Sequence, residues 1–368
     1  MSAGQEQKPG VFKEWIDGAF YLGVADDLAA ADDRFDRSLF LQLTLKGLED
    51  RELMDRLRQT AVAFQASLSL SYREQLAVLR TIAHPHGNSL VACWYADFVG
   101  QFGVDFPDIS LPALAHFTRF GSAEFAVREF LLRDLPGTLQ VMRTWSRDKN
   151  EHLRRLASEG CRPRLPWGKR LDALIEDPTP VLGILTALRD DPALYVRKSV
   201  ANHLNDISKD HPMVVLDTVS AWDRSSPRTA WMVKQGLRTL VKQAHPTALK
   251  LMGMGDPPKL SAVGFKVSPS RVSLGERITL ELAISSAVPT DQDLLIDYVI
   301  HYVKKSGAPR PKVFKWKRLR MKALESLELA KTQIIKDFST RKHYAGDHRV
   351  EIQINGQRMA ASKFKLQV

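Results

Sequence analysis

The sequence predicts a mainly α chain: a helical-repeat solenoid followed by a small all-β sandwich. Three observations carry this expectation. Apolar residues recur at helical spacing through the first 258 residues. A Gly/Pro run, Met252-Gly253-Met254-Gly255-Asp256-Pro257-Pro258, then reads as a linker. Beyond it the apolar period becomes two. The expected domains are therefore 1–258 and 259–368.

In the first part, Phe35, Leu39, Leu43, Leu45, Leu48, Leu53 and Leu57 follow helical spacing. Further helix-like segments are Ala123–Leu135, Leu139–Ala157, Val181–Leu188, Tyr195–Ile207, Met213–Ala221 and Ala230–Ala244. Breaks are expected at Pro107, Pro112, Pro136-Gly137, Pro163–Pro166, Pro178, Pro180, Pro192, Pro212, Pro227 and Pro246. Connections are short, as in helix–turn–helix pairs stacked side by side. The stretch from Asp190 to Asn202, DDPALYVRKSVAN, has an Asp-Pro turn, then Val-Arg, then a small residue. That is the second-helix pattern of HEAT-like repeats. Val127-Arg128, Leu153-Arg154 and Val233-Lys234 hold similar places at uneven spacing. Each repeat buries its apolar face only against neighbours, so the units stack. An aligned row of Arg and Lys would suit a long polyanion; ion pairs within each repeat are the alternative.

In the second part, Ile278, Leu280, Leu282 and Ile284 alternate with Thr279, Glu281 and Ala283. Tyr298, Ile300 and Tyr302 alternate likewise, as do Phe314 and Trp316 with Lys315 and Lys317. Val350, Ile352 and Ile354 precede Asn355-Gly356, a strong hairpin signal, and Phe364, Leu366 and Val368 follow. About seven short strands in about 110 residues suggest an immunoglobulin-like sandwich without a disulfide.

Composition narrows the function. With 44% apolar residues in 368, the chain is long enough for real cores. Two cysteines, Cys93 and Cys161, exclude a disulfide scaffold or four-cysteine zinc site and fit a reducing cytosol. No run of about 18 apolar residues exists, so no membrane association is expected. The start, MSAGQEQKPG, has no apolar signal core, so a cytoplasmic protein is expected. The net charge is +11, which suggests a polyanionic partner or simply a basic soluble protein. Residues 259–368 hold 21 basic and 10 acidic residues, the whole surplus. Residues 1–110 are net −6 and residues 111–258 net +6. An anionic ligand is expected to avoid the N-terminal third.

The segment 304–322, KKSGAPRPKVFKWKRLRMK, concentrates this charge. Lys304, Lys305, Arg310, Lys312, Lys315, Lys317, Arg318, Arg320 and Lys322 are accompanied by no acid. Nine cations in 19 residues repel one another unless a counter-ligand exists; each phosphate neutralised releases counterions. Gly307, Pro309 and Pro311 suit a loop following a nucleic-acid backbone. A solvated strand face is the alternative.

Phosphate loops and the HExxH, CxxC and GxSxG motifs are absent. His84-Pro85-His86 reads as a helix-ending turn, and His203 and His211 lack a third ligand, so neither metal nor cofactor is expected. Three carboxylates stand out. Glu124, in Ser122-Ala123-Glu124-Phe125-Ala126, is placed at a helix start, where a capping or dipole role is ordinary. Glu159 ends a helix, an unfavourable place for an acid unless it pairs with Arg162 or Arg164. Asp206 shares one helix side with Asn202 and Asn205, either as a solvated face or as a cap. Trp167 sits between proline and glycine in a rigid loop.

At these segments the sequence resembles the HEAT-like repeat alkylpurine DNA glycosylases, AlkC and AlkD. The matching stretches are Ser122–Leu132, Arg154–Trp167 and Val196–Pro212; the blocks LASEGCRPRLPW and VANHLNDISKDHP are specific and resemble the AlkC branch rather than the AlkD branch. Some members of that branch carry a C-terminal immunoglobulin-like domain. The resemblance implies a DNA glycosylase; no lysine is placed as a Schiff-base nucleophile, so a monofunctional enzyme is expected, and with no sign of an oligomer a monomer without cofactor is expected. Its substrate is double-stranded DNA carrying cationic alkylated bases, 3-methyladenine and 3-methylcytosine. Such enzymes hydrolyse the N-glycosidic bond without flipping the base into a deep pocket. Asp206 is then the principal carboxylate, with Glu124 and Glu159 beside it and Trp167 as the aromatic wall. Arg154, Arg162, Arg164, Arg197, Lys198 and Lys209 are candidate phosphate contacts, and the basic sandwich holds the DNA against the helical part. The AlkD branch uses paired tryptophans; Trp145 and Trp231 read as core residues, so no second one is assigned.

Overall fold

The structure, a computed structural model, describes residues 12–83, 90–338 and 342–368. His84-Pro85-His86 and the start of the chain lie outside the described residues. Contacts divide the chain into two compact units: Met1–Val214 with Trp222–Gly236, and Val215–Ala221 with Leu237–Val368.

The first unit is helical throughout. Its helices start on polar caps: Asp17, Asp36, Asp134 and Asn150 each accept from a backbone N–H of the first turn. Ser71 and Glu74 form a reciprocal capping box. Most of the prolines expected as breaks stand in the first turn of a helix, where the missing N–H costs nothing. Pro112 is different. The helix Pro107–Phe117 runs through it on an exposed face.

The expected segment Leu139–Ala157 is two helices, Leu135–Trp145 and Glu151–Glu159. Between them Asp148 accepts from the Asn150 N–H at 2.7 Å and Asn150 caps His152 at 2.8 Å, so side chains replace the helical ladder. Likewise Ala230–Ala244 divides into Pro227–Gly236 and Arg238–Lys242. Gly236 is where a Cβ would stand 3.1 Å from Leu204, so close helix contact selects a weak helix former there.

Helix Leu194–Ile207 packs between Glu151–Glu159 and Pro227–Gly236, and Leu53–Ala66 against Cys93–Phe102. These are the second helices of consecutive pairs, the HEAT-like arrangement the Asp-Pro, Val-Arg pattern predicts.

Among the described residues the second unit contains eight strands: β1 (Leu260–Ser268), β2 (Arg271–Ser273), β3 (Arg277–Ser286), β4 (Gln292–Val303), β5 (Pro309–Met321), β6 (Ser326–Ile334), β7 (Gly346–Ile354) and β8 (Gln357–Gln367). They form a three-stranded sheet, β1-β3-β6, and a five-stranded sheet, β2-β8-β7-β4-β5. Inward residues of both, including Ile278, Leu280, Leu282, Ile296, Tyr298, Ile300, Val350, Ile352 and Phe364, make one core. This is the expected sandwich.

The hairpin at Asn355-Gly356 pairs Ile354 with Gln357, leaving a two-residue turn. Both turn residues have positive φ, 45° and 81°, as a type I′ turn requires. Glycine is also demanded by space: a Cβ at 356 would lie 2.6 Å from Leu249 Cδ1 and 2.9 Å from Ala244 Cβ. Leu249 and Met254 pack with Leu295 of β4, and Asn355 Nδ2 donates to the Asp256 carbonyl at 3.0 Å. The Gly/Pro run is therefore seated on the sheet, and the helices Arg238–Lys242 and Pro246–Leu251 group with the strands.

β5 corrects one expectation. Pro309 and Pro311 begin the edge strand, whose Phe314 and Trp316 alternate as expected, and the loop is confined to the turn Lys304–Ala308 that holds Gly307. Edge position explains the prolines, since an edge strand leaves half its N–H groups unpaired. Phe314 stacks on Tyr298 at 5.0 Å, while all nine cations of 304–322 are exposed. Asp297 of β4, opposite Lys315, is buried; burial pushes its carboxyl up to about 6 against the pull of Lys315 and Lys242.

Candidate active site

The strongly amphipathic helix Glu151–Glu159 turns Arg155 and Glu159 to one side, four residues apart. Helix Leu194–Ile207 packs against it and brings Tyr195 and Asp206. Glu124 enters from the turn before helix Val127–Arg133. The three carboxylates expected from the sequence thus converge, with cations interleaved between them.

Arg155 donates to Glu124 at 2.8 and 3.2 Å, contacts Ser122 Oγ, and lies 3.7 Å from Glu159. Arg162 donates to Glu159 at 2.6 Å and to Asp206 at 2.9 and 2.8 Å. Lys209 donates to the other Asp206 oxygen at 2.9 Å. The sequence of charges is Glu124–Arg155–Glu159–Arg162–Asp206–Lys209, strictly alternating. Each guanidinium stands between two carboxylates and offsets their mutual repulsion.

Burial alone would raise the Glu159 pKa. Arg155 and Arg162 overcome it and hold the carboxyl below the ordinary glutamate range, with Ser199 assisting. Arg155, largely buried, gains more from Glu124 and Glu159 than it loses by desolvation, so its pKa is raised. His203 is fully buried beneath the array, with Nδ1 3.0 Å from the Ser158 carbonyl; burial pushes it down to about 4, so it is neutral. Burial pushes both Cys93 and Cys161 up to about 12, which removes them as thiolate nucleophiles. Among the described residues no group of three His, Cys, Asp or Glu could hold a metal.

Trp167 stands beside the array on the segment that follows Gly160. It is 67% exposed and has φ of 62°, a left-handed conformation rare for a bulky residue. An open pocket of about 250 Å³ is lined by Glu124, Glu159, Arg162 and Trp167, with Cys93 and Phe125 on its apolar side. An exposed aromatic next to buried carboxylates can hold a flat cation and stabilise positive charge beside it.

The other expected residues fall into two groups. Arg154 is tied to Asp191 at 2.6 Å and to the Asp148 and Lys149 carbonyls; Arg197 donates to the Asp191 and Pro192 carbonyls. Arg162 is nearly buried between its carboxylates. Arg164 pairs with Asp210 at the surface, and Lys198 and Lys209 are exposed. In the second unit Lys304, Lys305, Arg310, Lys312, Lys315, Lys317, Arg318 and Arg320 are exposed, with Arg320 and Lys322 sharing Asp291.

Two site residues were missed. Arg155 could have been found from its i, i+4 spacing to Glu159. Tyr195, exposed by 41%, lies with its ring 5.0 Å from the Arg155 guanidinium. It places a second aromatic ring beside Arg155, within the Asp190–Asn202 stretch that carries the repeat pattern.

Comparison with known proteins agrees with this geometry. Residues 117–240 match the family model described as DNA alkylation repair enzyme. Residues 261–368 match the model described as the C-terminal Ig-like domain of YhaZ. The chain is 40% identical over 324 residues to Bacillus subtilis (strain 168) YhaZ, covering 88% of this chain and 90% of that one. It is 41% identical to Pseudomonas fluorescens alkylpurine DNA glycosylase AlkC, solved bound to DNA containing an abasic site analog. That match covers 98% of this chain and all of the other, with a TM-score of 0.93. Fold and matches define a class: helical-repeat DNA alkylation repair glycosylases that carry an immunoglobulin-like C-terminal domain. The chain belongs to the DNA alkylation repair enzyme family, among its AlkC-like members.

Proposed function

We propose that this protein is a monofunctional, monomeric DNA glycosylase that releases cationic N-alkylated bases, 3-methyladenine and 3-methylcytosine, from double-stranded DNA. The observation that carries this reading is the alternating carboxylate–guanidinium array beside exposed Trp167. An alkylated base is already a cation. When its C1′–N bond breaks, it departs neutral with the electron pair, so no strong general acid is needed. Positive charge passes to the deoxyribose. Asp206, with Glu159 and Glu124 beside it, stabilises that oxocarbenium-like sugar and orients the water whose oxygen bonds C1′. The water's proton leaves to a carboxylate or to solvent, and an abasic site remains.

Trp167 holds the cationic base or sugar by cation–π attraction of about 0.5–2 kcal/mol. The base stays at the surface rather than in a deep pocket, consistent with an open cleft of about 250 Å³. Lys209 is committed to Asp206, which suits hydrolysis rather than a Schiff base. In the proposed division of labour, residues 1–258 carry the chemistry in a cytoplasmic enzyme. Residues 259–368 hold the phosphate backbone through the cations of 304–322. Incubation with methylated DNA tests the reading: free 3-methyladenine and 3-methylcytosine are expected in solution. Absence of release from protein that binds DNA would leave only a binding module.

A further inference from the structure

Arg128 is fully buried in helix Val127–Arg133, yet its contacts are not with a carboxylate. Its Nε donates to the Lys169 carbonyl at 2.6 Å. Its Nη1 donates to the carbonyls of Gly160 at 2.9 Å and Arg162 at 2.8 Å. These acceptors bracket the segment that carries Arg162, Arg164 and Trp167. One guanidinium therefore closes both ends of that segment. It also limits the middle: a Cβ at Gly168 would meet Leu165 at 3.0 Å and Arg128 at 3.3 Å. Burial draws the Arg128 pKa down to about 10, which leaves it cationic at neutral pH.

We propose that Arg128 is a positioning residue of the reaction, fixing the left-handed Trp167 and the Arg162 bridge through three backbone carbonyls. It touches neither substrate nor the reacting atoms. Three donors in a planar fork match three carbonyls, and a lysine ammonium cannot span them. Without the fork, the segment gains alternative conformations and the aromatic face is no longer pre-set; misplacement by about 1 Å costs about a hundredfold in rate.

This rests on the glycosylase reading, so the test combines activity with a readout independent of it. Arg128→Lys is expected to lower the single-turnover rate of base release about a hundredfold, with affinity for abasic-site DNA within about twofold. In Arg128→Ala, added guanidinium ion is expected to restore part of the rate. Added to Arg128→Lys, Trp167→Ala is expected to cost little more, because both act through one element. The independent readout is acrylamide quenching of the Trp167 emission, taken as the difference between the protein and its Trp167→Phe variant. Arg128→Lys is expected to increase that quenching. Unchanged quenching would overturn the proposal even if the parent protein released no base. So would an additive double variant, or a rate loss that disappears wherever the variant is fully folded. If quenching rises and the parent is inactive, the positioning role stands and the glycosylase reading fails.

Discussion

The two units handle charge in opposite ways. In the helical unit each site carboxylate has a cationic partner within 3.7 Å, and the array from Glu124 to Lys209 alternates in sign. In the strand unit nine cations of residues 304–322 stand exposed, eight on one edge strand and the turn before it and Lys322 just after. Buried charges must be compensated because desolvation costs several kcal/mol per ion. Exposed ones need no internal partner and remain available to an external polyanion. The contrast teaches that net charge alone misplaces the candidate chemistry, which sits in the neutral region, while the charged region offers exposed cations.

Four experiments test this contrast. The largest effect is expected from Asp206→Asn, which removes one negative member of the array. Base release in single turnover should fall by about 10²–10³ while affinity for abasic-site DNA changes little; undiminished release would move the role to Glu159 or Glu124. Next, Lys304, Lys305, Arg310 and Lys312 changed together to Gln should reduce the slope of log affinity against log salt by about 3–4, with the rate at saturating protein unchanged. An unchanged slope would make the edge strand a solubility feature. Trp167→Ala should cost about tenfold or less in release, in line with a cation–π contact.

The smallest effect concerns stability, and here the two units have opposite signs. Glu159 is held below its ordinary value in the fold, so its contribution is present at neutral pH and lost as pH falls through that depressed value. Asp297 is raised to about 6, so the fold binds its proton more tightly than the unfolded chain does. Its ionisation destabilises the fold progressively as pH rises from about 4 to about 6. Asp297→Asn should therefore stabilise the protein above that range by on the order of 1–3 kcal/mol and have little effect below pH 4. A thermal melt at pH 7.5 that shows no gain would rule this out.

Much of the site was legible in the sequence because its members sit in local blocks. Glu159 and Arg162 are three residues apart, and Asp206 and Lys209 repeat that spacing. A salt bridge from Glu159 to Arg162 was among the readings of an otherwise misplaced acid, and it is present at 2.6 Å. A solvated or capping role for Asp206 was not met, since its helix face is covered by the neighbouring repeat. Less legible were pairings across helices. Arg155 reaches Glu124 over 31 residues, and Arg128 reaches Lys169 over 41. No local period encodes such distances; they arise only when repeats stack. The fold followed the change in apolar period closely, but prolines misled twice. Pro309 and Pro311 on a sheet edge occupy places where a missing N–H is tolerated, whereas Pro112 stands inside a helix that continues through it at the loss of one ladder bond.

The alternating array has a consequence beyond the reaction. Three bare carboxylates this close would concentrate magnesium ions and polyamines, and any cation seated there would compete with a cationic lesion. Interleaving Arg155, Arg162 and Lys209 cancels the charge as a whole while leaving negative oxygens at short range. Small cations are offered no net well, whereas a flat lesion pressed against the oxygens still meets them. Inhibition by magnesium or spermidine should therefore act on the DNA and the exposed edge strand, and saturating enzyme should relieve it.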